Sequence, residues 1–185
     1  GMYTEGGPVE IHNMEFLRNI ASEEGGGLSI DNFGTVKIFG GLVEGNAAGA
    51  DGGGIENSGM RVVFDGLRVK GNKATLDGGG IYNSSSGDFQ VLNNTIESNT
   101  ATNGGGFANA PDADLTIKQS TLMKNVARFP GYDDAQQQLD GGEGGGFWSK
   151  ADGDALLENI TISGNFAAVR GGGLFHDADG KLHLI

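Results

Sequence analysis

Acidic side chains recur at one fixed place in the chain, directly before four of the six runs of three glycines. The residues at this place are Glu24, Asp51, Asp77, Asn103, Glu143 and Arg170. If successive copies of this pattern stack about 5 Å apart, the carboxylates of Glu24, Asp51 and Asp77 repel one another unless a cation or water separates them. Calcium prefers oxygen ligands of this kind. These three residues are therefore one candidate calcium site, and solvated turn acids are the alternative.

A second acidic pattern, Asp-x-Asp, occurs three times in the later part of the chain, as Asp112/Asp114, Asp152/Asp154 and Asp177/Asp179. We expect these pairs in the turns before successive strands, where Asp112, Asp114, Asp152 and Asp154 form a second candidate calcium site. Neither acidic set has the ligand count of a recognised calcium loop, and the nonapeptide Gly-Gly-x-Gly-x-Asp is absent. We therefore predict that the chain requires no cofactor. Calcium is the one ion that these patterns suggest, and solvated acids are again the alternative.

Aromatic side chains concentrate at another fixed place, two residues after each run of glycines. The residues there are Ser29, Glu56, Tyr82, Ala108, Trp148 and Phe175. The residue before each of them is apolar, so strand alternation predicts that this set points outward. Trp148 and Phe175 belong to adjacent copies, and we expect their rings to stack on the surface, where they can bind a flat sugar face or another partner. In the alternative, residues of a nearby insertion cover both rings.

That insertion spans about residues 128–143, where the interval between glycine runs rises from 26 or 27 residues to 40. Loops carried by a rigid scaffold commonly bind ligands, although a neutral insertion is the alternative. We predict a recognition surface that combines Tyr132 of the insertion with Tyr82, Trp148, Arg170 and Phe175.

The insertion also contains the carboxylates that favour an enzyme. Asp133, Asp134 and Asp140 lie close together in sequence, and paired carboxylates are what a glycosidase needs. No catalytic motif surrounds any of the histidines, His12, His176 and His183. A polysaccharide lyase, hydrolase or epimerase is therefore kept as the alternative to a non-enzymatic binding protein.

A repeat of 26 or 27 residues must position all of these side chains. A second marker, Asn-x-Ala, accompanies every glycine run; its asparagines are Asn19, Asn46, Asn72, Asn99, Asn125 and Asn165. Apolar residues ten, eight and three positions before each asparagine are in register, as are those after each glycine run. The spacing of two within the first pair is the period of a strand. Each repeat is therefore predicted to contain three short strands joined by turns.

Stacked units of this kind predict an all-β fold, a single-stranded parallel β-helix with three sheets and about six coils. We expect the right-handed winding that parallel crossovers favour, and a β-propeller is excluded because its blades need 40 or more residues. The predicted repeats of the single domain 1–185 are 9–33, 34–59, 60–87, 88–113, 114–153 and 154–181. Leu182 and Leu184 would begin a further coil, so we expect a piece of a longer array or, alternatively, a subunit that stacks end to end.

The repeated asparagines and glycines have structural explanations. Asparagine tolerates the left-handed backbone region, and its amide can donate a hydrogen bond to the next asparagine of the stack. Glycine costs conformational entropy. The glycine runs therefore require either a corner with positive φ or a backbone packed closely against a neighbour.

Composition excludes several classes of function. The formal net charge is −12, and the sequence shows no basic footprint for nucleic acid, so binding to nucleic acid or to an anionic membrane is disfavoured. The chain has no cysteine, which excludes disulfides and thiolate metal sites. No apolar run is long enough for a membrane span.

The repeat resembles that of the chlamydial-type polymorphic outer-membrane proteins. Phe16-Leu17-Arg18-Asn19 resembles the Phe-x-x-Asn half of that repeat, and Gly-Gly-Gly-Ile at 52–55 and 78–81 resembles the Gly-Gly-Ala-aliphatic half. The third position is glycine rather than alanine in every copy, and only one copy has phenylalanine before x-x-Asn. The resemblance implies a secreted or cell-surface β-helix that is often adhesive. Our prediction is an extracellular adhesive domain that binds a glycan or an extracellular protein through the face beside the insertion.

Overall fold

A computed structural model describes residues 1–110, 114–128 and 141–185. In these residues the regular structure is β, and the strands, in chain order, are β1 (Met2–Glu5), β2 (Val9–Leu17), β3 (Ile20–Ala21), β4 (Leu28–Asp31), β5 (Thr35–Glu44), β6 (Ala47–Ala48), β7 (Ile55–Asn57), β8 (Arg61–Asp65), β9 (Arg68–Lys70), β10 (Lys73–Ala74), β11 (Ile81–Asn83), β12 (Asp88–Leu92), β13 (Thr95–Glu97), β14 (Thr100–Ala101), β15 (Phe107–Asn109), β16 (Leu115–Lys118), β17 (Thr121–Met123), β18 (Val126–Ala127), β19 (Phe147–Ser149), β20 (Ala155–Glu158), β21 (Thr161–Ser163), β22 (Phe166–Ala167), β23 (Leu174–His176) and β24 (Leu182–Leu184).

These strands form three parallel sheets that stack as a β-solenoid of about six turns. Sheet A has the order β1-β4-β7-β11-β15-β19-β23, and sheet C has the order β22-β18-β14-β10-β6-β3. Sheet B contains the other strands. The predicted three-sheet parallel β-helix is confirmed, and its right-handed winding stays a prediction.

The strands pair in the register that the repeat predicts. Along sheet B, for example, Val36 pairs with Val62 and Val62 with Phe89. The inward side chains form one continuous core, buried in the middle coils and partly exposed in the last one, in which Phe89 stacks on Phe107 and Phe107 stacks on Phe147. Each coil thus buries its apolar face only because a neighbouring coil covers it.

In the later coils the number of strands differs from the prediction, whereas the first two coils have three strands because β2 and β5 each run through sheet B without a break. A fourth, two-residue strand forms at the Asn-x-Ala marker, and Lys73–Ala74 in sheet C is an example. The two strands predicted before the asparagine both belong to sheet B. The marker alanine therefore lies in a sheet, where it is buried in the middle coils.

The asparagine ladder is confirmed, but one reason given for it is wrong. Each asparagine donates from Nδ2 to the Oδ1 of the next, over 2.9–3.0 Å. Positive φ falls on the residue before the asparagine, such as Arg18 and Lys124, whose φ values are 53° and 54°. The asparagine itself is needed for its amide, which also caps a backbone carbonyl of the neighbouring coil, as Asn72 Nδ2 does to Val43 O over 2.9 Å.

Both explanations for the glycine runs apply, at different positions of one run. Gly52 has a φ of +63°, a value that residues other than glycine seldom adopt. At Gly53 the neighbouring backbone leaves no space, because a Cβ would lie 2.3 Å from the Lys73 carbonyl carbon and 2.5 Å from Gly79 O. The runs therefore let each coil turn sharply while it packs directly on the next.

Candidate functional site

The outward side chains of sheet A form the column that the sequence predicts. Tyr82 pairs with Glu56 on one side and Ala108 on the other, and Trp148 pairs with Ala108 and Phe175. The prediction that Trp148 is exposed is wrong, since it is only 6% exposed, and Glu56 is only 2% exposed. The glycine turns pack over the strand ends and cause part of this burial. A Cβ on Gly144, for example, would lie 2.5 Å from the Cβ of Trp148.

A cation lies over each aromatic ring at the later end of this column. The Arg170 guanidinium is 4.9 Å from the centre of the Phe175 ring, and Lys150 Nζ is 5.6 Å from the centre of the Trp148 ring. Within the described residues the aromatic ring pairs do not include Trp148 with Phe175, so the predicted stacking of these two rings is wrong. Cation–π contacts of this kind hold a long side chain in one place.

Glu143 joins these groups into one unit. It is 5% exposed, and its carboxylate accepts hydrogen bonds from Trp148 Nε1 at 3.4 Å and from Arg170 Nε at 2.9 Å. Arg170 Nη2 donates to the same carboxylate. A buried carboxylate persists only when it is paired in this way. We call Glu143, Trp148, Lys150, Arg170 and Phe175 the arginine–aromatic patch.

The earlier end of the same face is acidic. Asp51 Oδ1 accepts from the backbone N–H of Asp77 at 2.8 Å, and Asp77 Oδ1 accepts from Asn103 Nδ2 at 2.9 Å. Burial raises the pKa of Asp77 to about 6. Burial, followed by the nearby carboxylates, raises the pKa of Tyr82 to about 12. The stacked acidic column predicted from the sequence therefore exists, and its members hydrogen-bond to one another's backbones and side chains.

The calcium hypothesis stays a prediction for both acidic sets. In residues 1–110, 114–128 and 141–185, no group of three or more His, Cys, Asp or Glu side chains is arranged to hold a metal ion. In the second set, Asp114 Oδ1 accepts from Asp154 N at 3.2 Å and Asp152 Oδ1 from Asp179 N at 3.4 Å. These turn acids thus have a structural role, because each accepts an N–H of the next coil. Asp112 lies outside the described residues.

Acidic pH is expected to stabilise the domain. The pKa of Asp77 is raised by burial from 3.8 to about 6, and burial also raises the pKa of Glu24, Asp51 and Glu56. The folded state therefore binds more protons than the unfolded state between about pH 4 and 6, and stability is lost as pH rises through this range. Thermal unfolding should give a higher Tm at pH 5 than at pH 7.5, with Asp77 contributing roughly 1 kcal/mol.

The Asp77→Asn variant is the control for this pH dependence. It keeps the acceptor for Asn103, removes the charge, and should flatten the change in Tm between the two pH values. An equal change in wild type and variant would contradict the role of Asp77. In the same scans, a rise of the wild-type Tm with millimolar calcium at pH 7.5 would support the calcium prediction.

Several predicted site residues lie outside the described part of the chain. They are Tyr132 of the predicted recognition surface and the three carboxylates of the enzyme hypothesis, Asp133, Asp134 and Asp140. Of the remaining binding residues, Trp148, Arg170 and Phe175 are brought together, whereas Tyr82 lies beside the acidic groups of the same face.

Some residues of this region were missed at the level of sequence. Lys150 has no repeat spacing that would have indicated it. The pairing of Glu143 with Arg170 was missed although both residues stand directly before a glycine run in adjacent coils, so the repeat spacing contained its signal. A second buried ladder was missed as well: Asn57 Nδ2 donates to Asn83 Oδ1 at 2.8 Å, and Asn83 Nδ2 to Asn109 Oδ1 at 2.7 Å. These asparagines are 26 residues apart, so the repeat spacing did contain their signal.

Two segments of the chain match the model of a known repeat family. Residues 66–84 and 159–177 match the family model of the Chlamydia polymorphic membrane protein repeat. Each match runs from the second part of sheet B through the asparagine and the glycine run to sheet A. The resemblance inferred from the sequence is thus confirmed, and the family's association with the outer membrane agrees with a location at the cell surface. The two matched segments are similar to the family's repeat, and their outward positions vary: Asp77 and Tyr82 in the first match correspond to Arg170 and Phe175 in the second.

Neither the curated proteins nor the solved structures gave a match to the chain. In the part of the chain that the structure describes, no helix is long and apolar enough to cross a membrane.

Proposed function

We propose that the chain is an adhesive, surface-displayed β-helix domain that binds a glycan through the arginine–aromatic patch. The observation that carries this proposal is the placement of Arg170, which contacts both the Glu143 carboxylate and the Phe175 ring. An arginine fixed in this way presents its remaining donors at little entropic cost. The half-buried Phe175 ring offers the apolar surface on which a sugar ring can stack.

The exposure of the patch favours a glycan over a protein partner. Phe175 and Tyr82 are only half-buried, Trp148 is buried, and none of them is among the large apolar side chains that the protein exposes. Protein interfaces usually centre on exposed aromatic anchors in a sizeable apolar area. A face with charged donors around one partly exposed ring is better suited to the alternating polar and apolar edges of a sugar.

Substitution of Arg170 is expected to reduce glycan binding strongly. We expect wild-type protein to bind glycans on an array, and Arg170→Ala to lose about tenfold or more in affinity, because a charged donor beside the ring disappears. Phe175→Leu should show a similar loss while it keeps an apolar side chain at that position. Melting curves of each variant would establish that the fold is intact.

Arg68→Ala is the matched control, since Arg68 also pairs through Nη2 with a glutamate, Glu97, and its side chain is 56% exposed against 62% for Arg170. Arg68 lies on sheet B, away from the patch. Equal losses in the two variants, or binding that is unchanged in Arg170→Ala, would contradict the proposal. Binding to purified extracellular proteins in the absence of any glycan binding would instead identify a protein partner.

A polysaccharide-active enzyme is the second candidate function. The observation that favours it is the carboxyl pair Asp51 and Asp77, in which burial raises the pKa of Asp77 to about 6, a value suited to a general acid. Incubation of the protein with neutral and acidic polysaccharides, followed by measurement of turnover, tests this second function. Turnover that is lost in Asp77→Asn would favour the enzyme, and absence of turnover on every substrate would remove it.

A further inference from the structure

A small groove on the outer side of sheet C differs in charge from the rest of this acidic protein. Its volume is about 170 Å³, and its lining includes Lys73, Thr75, Thr100, Thr102 and Arg128. Two buried alanines, Ala74 and Ala101, form its floor. Among the described residues, the groove lining contains no carboxylate, although the whole chain has a formal charge of −12.

The two cations of the groove are held by the regular stacking of the coils. The backbone N–H of Lys73 donates to Asn46 O at 2.9 Å, and that of Arg128 donates to Ala101 O at 2.8 Å. Lys73 and Arg128 lie two coils apart, roughly 10 Å along the solenoid, on either side of Thr100 and Thr102. Both residues line the groove, one at each end.

Neither cation has an acidic partner among the described residues. Ion pairs in this part of the chain involve His12, Arg68, Lys70, Lys118 and Arg170, whereas Lys73 and Arg128 form none with a described carboxylate. Thr102 Oγ1 already donates to Thr75 O at 2.8 Å. The hydroxyl of Thr100 makes no hydrogen bond with a described group and can donate to a ligand.

We propose that this groove binds an oxyanion, a sulfate, phosphate or carboxylate group, between Lys73 and Arg128 with Thr100 as a further donor. Guanidinium and ammonium groups form their strongest hydrogen bonds with such anions. The volume is below that of pockets for drug-sized molecules, so a single anionic group or one acidic sugar unit is the ligand that fits. The groove lies on a different sheet from the arginine–aromatic patch, and this inference does not depend on the proposed function.

Calorimetric titration with three probes tests the site and identifies the source of the anion. The probes are inorganic sulfate, a sulfated heparin-derived oligosaccharide and an oligomer of galacturonic acid. Saturable binding of any probe is expected, with a loss of about tenfold or more in the Lys73→Gln/Arg128→Gln variant. Thr100→Val should cause a smaller loss, because it removes one donor and no charge.

The matched control is Lys37→Gln/Arg61→Gln, which removes the same charge from two exposed residues of sheet B. The control should bind each probe as the wild type does. Binding of free sulfate with an affinity similar to that of the oligosaccharides would assign the site to small anions. Binding of an oligosaccharide without binding of free sulfate would assign it to an acidic glycan. Absence of saturable binding for all three probes, or equal losses in the two double variants, would overturn the proposal.

Discussion

Replacement of Gly53 by alanine is expected to destabilise the domain by more than about 4 kcal/mol, enough to prevent folding. The new Cβ would lie 2.3 Å from the carbonyl carbon of Lys73 and 2.5 Å from the carbonyl oxygen of Gly79. Both neighbours are backbone atoms of the adjacent coil, so no side-chain rotation relieves the overlap. The coils would have to separate, which exposes the core on both sides of the change.

Two other glycines are controls for this experiment. A Cβ on Gly7 would have no other atom within 4 Å, and the φ of Gly7 is not positive. Gly7→Ala should therefore change stability by less than about 0.5 kcal/mol. Gly71 has equal space but a φ of +63°, so Gly71→Ala should cost about 1 kcal/mol through backbone strain alone. Urea unfolding of the three variants ranks their free energies of unfolding, which should be lowest for Gly53→Ala and highest for Gly7→Ala. Equal stability of Gly53→Ala and Gly7→Ala would show that the coils are not packed as described.

Loss of one amide from the middle of the asparagine ladder is the second large effect. Asn99 is fully buried, and its Oδ1 accepts from both N and Nδ2 of Asn72, at 2.9 and 3.0 Å. Its Nδ2 donates to Val69 O and to Asn125 Oδ1, each at 3.0 Å. Asn99→Ala leaves several buried groups without partners, at about 1–3 kcal/mol each. We expect a total loss of about 3–5 kcal/mol in the free energy of unfolding.

Asn19→Ala is the control from the same ladder. Asn19 donates from N and Nδ2 to Asn46 at a partly buried position, so its removal should cost about 1 kcal/mol. The two variants are compared by chemical denaturation under identical conditions. A loss at Asn99 no larger than the loss at Asn19 would mean that the ladder does not carry the stability ascribed to it.

The sequence predicted the fold through its period and predicted less about local backbone. The spacing of Asn72, Asn99 and the glycine runs is sufficient to infer stacked coils, because only one register brings every apolar position onto its copy. The position of positive φ was not predictable in this way. It falls on residues as different as Arg18, Ser98 and Lys124, since the turn geometry is imposed by the ladder that follows and not by the residue's own preference.

The candidate site was predicted in its position but not in its exposure. Strand alternation correctly placed Trp148 and Phe175 in one outward column. It could not show that Trp148 is buried, because alternation decides the side of a sheet on which a side chain lies and not what packs on that side. The sequence did contain the pairing of Arg170 with Glu143, because both stand directly before a glycine run in adjacent coils, but it could not show that the Glu143 carboxylate is buried.

Arg170 and Phe175 are proposed to act as one recognition surface. A double-mutant cycle tests this most directly, with affinities of wild type, Arg170→Ala, Phe175→Leu and the double variant for a glycan that the array identifies. We expect each single variant to lose most of the affinity and the double variant to lose little more, a coupling of at least about 0.5 kcal/mol. Additive small losses, or full binding by the double variant, would contradict it.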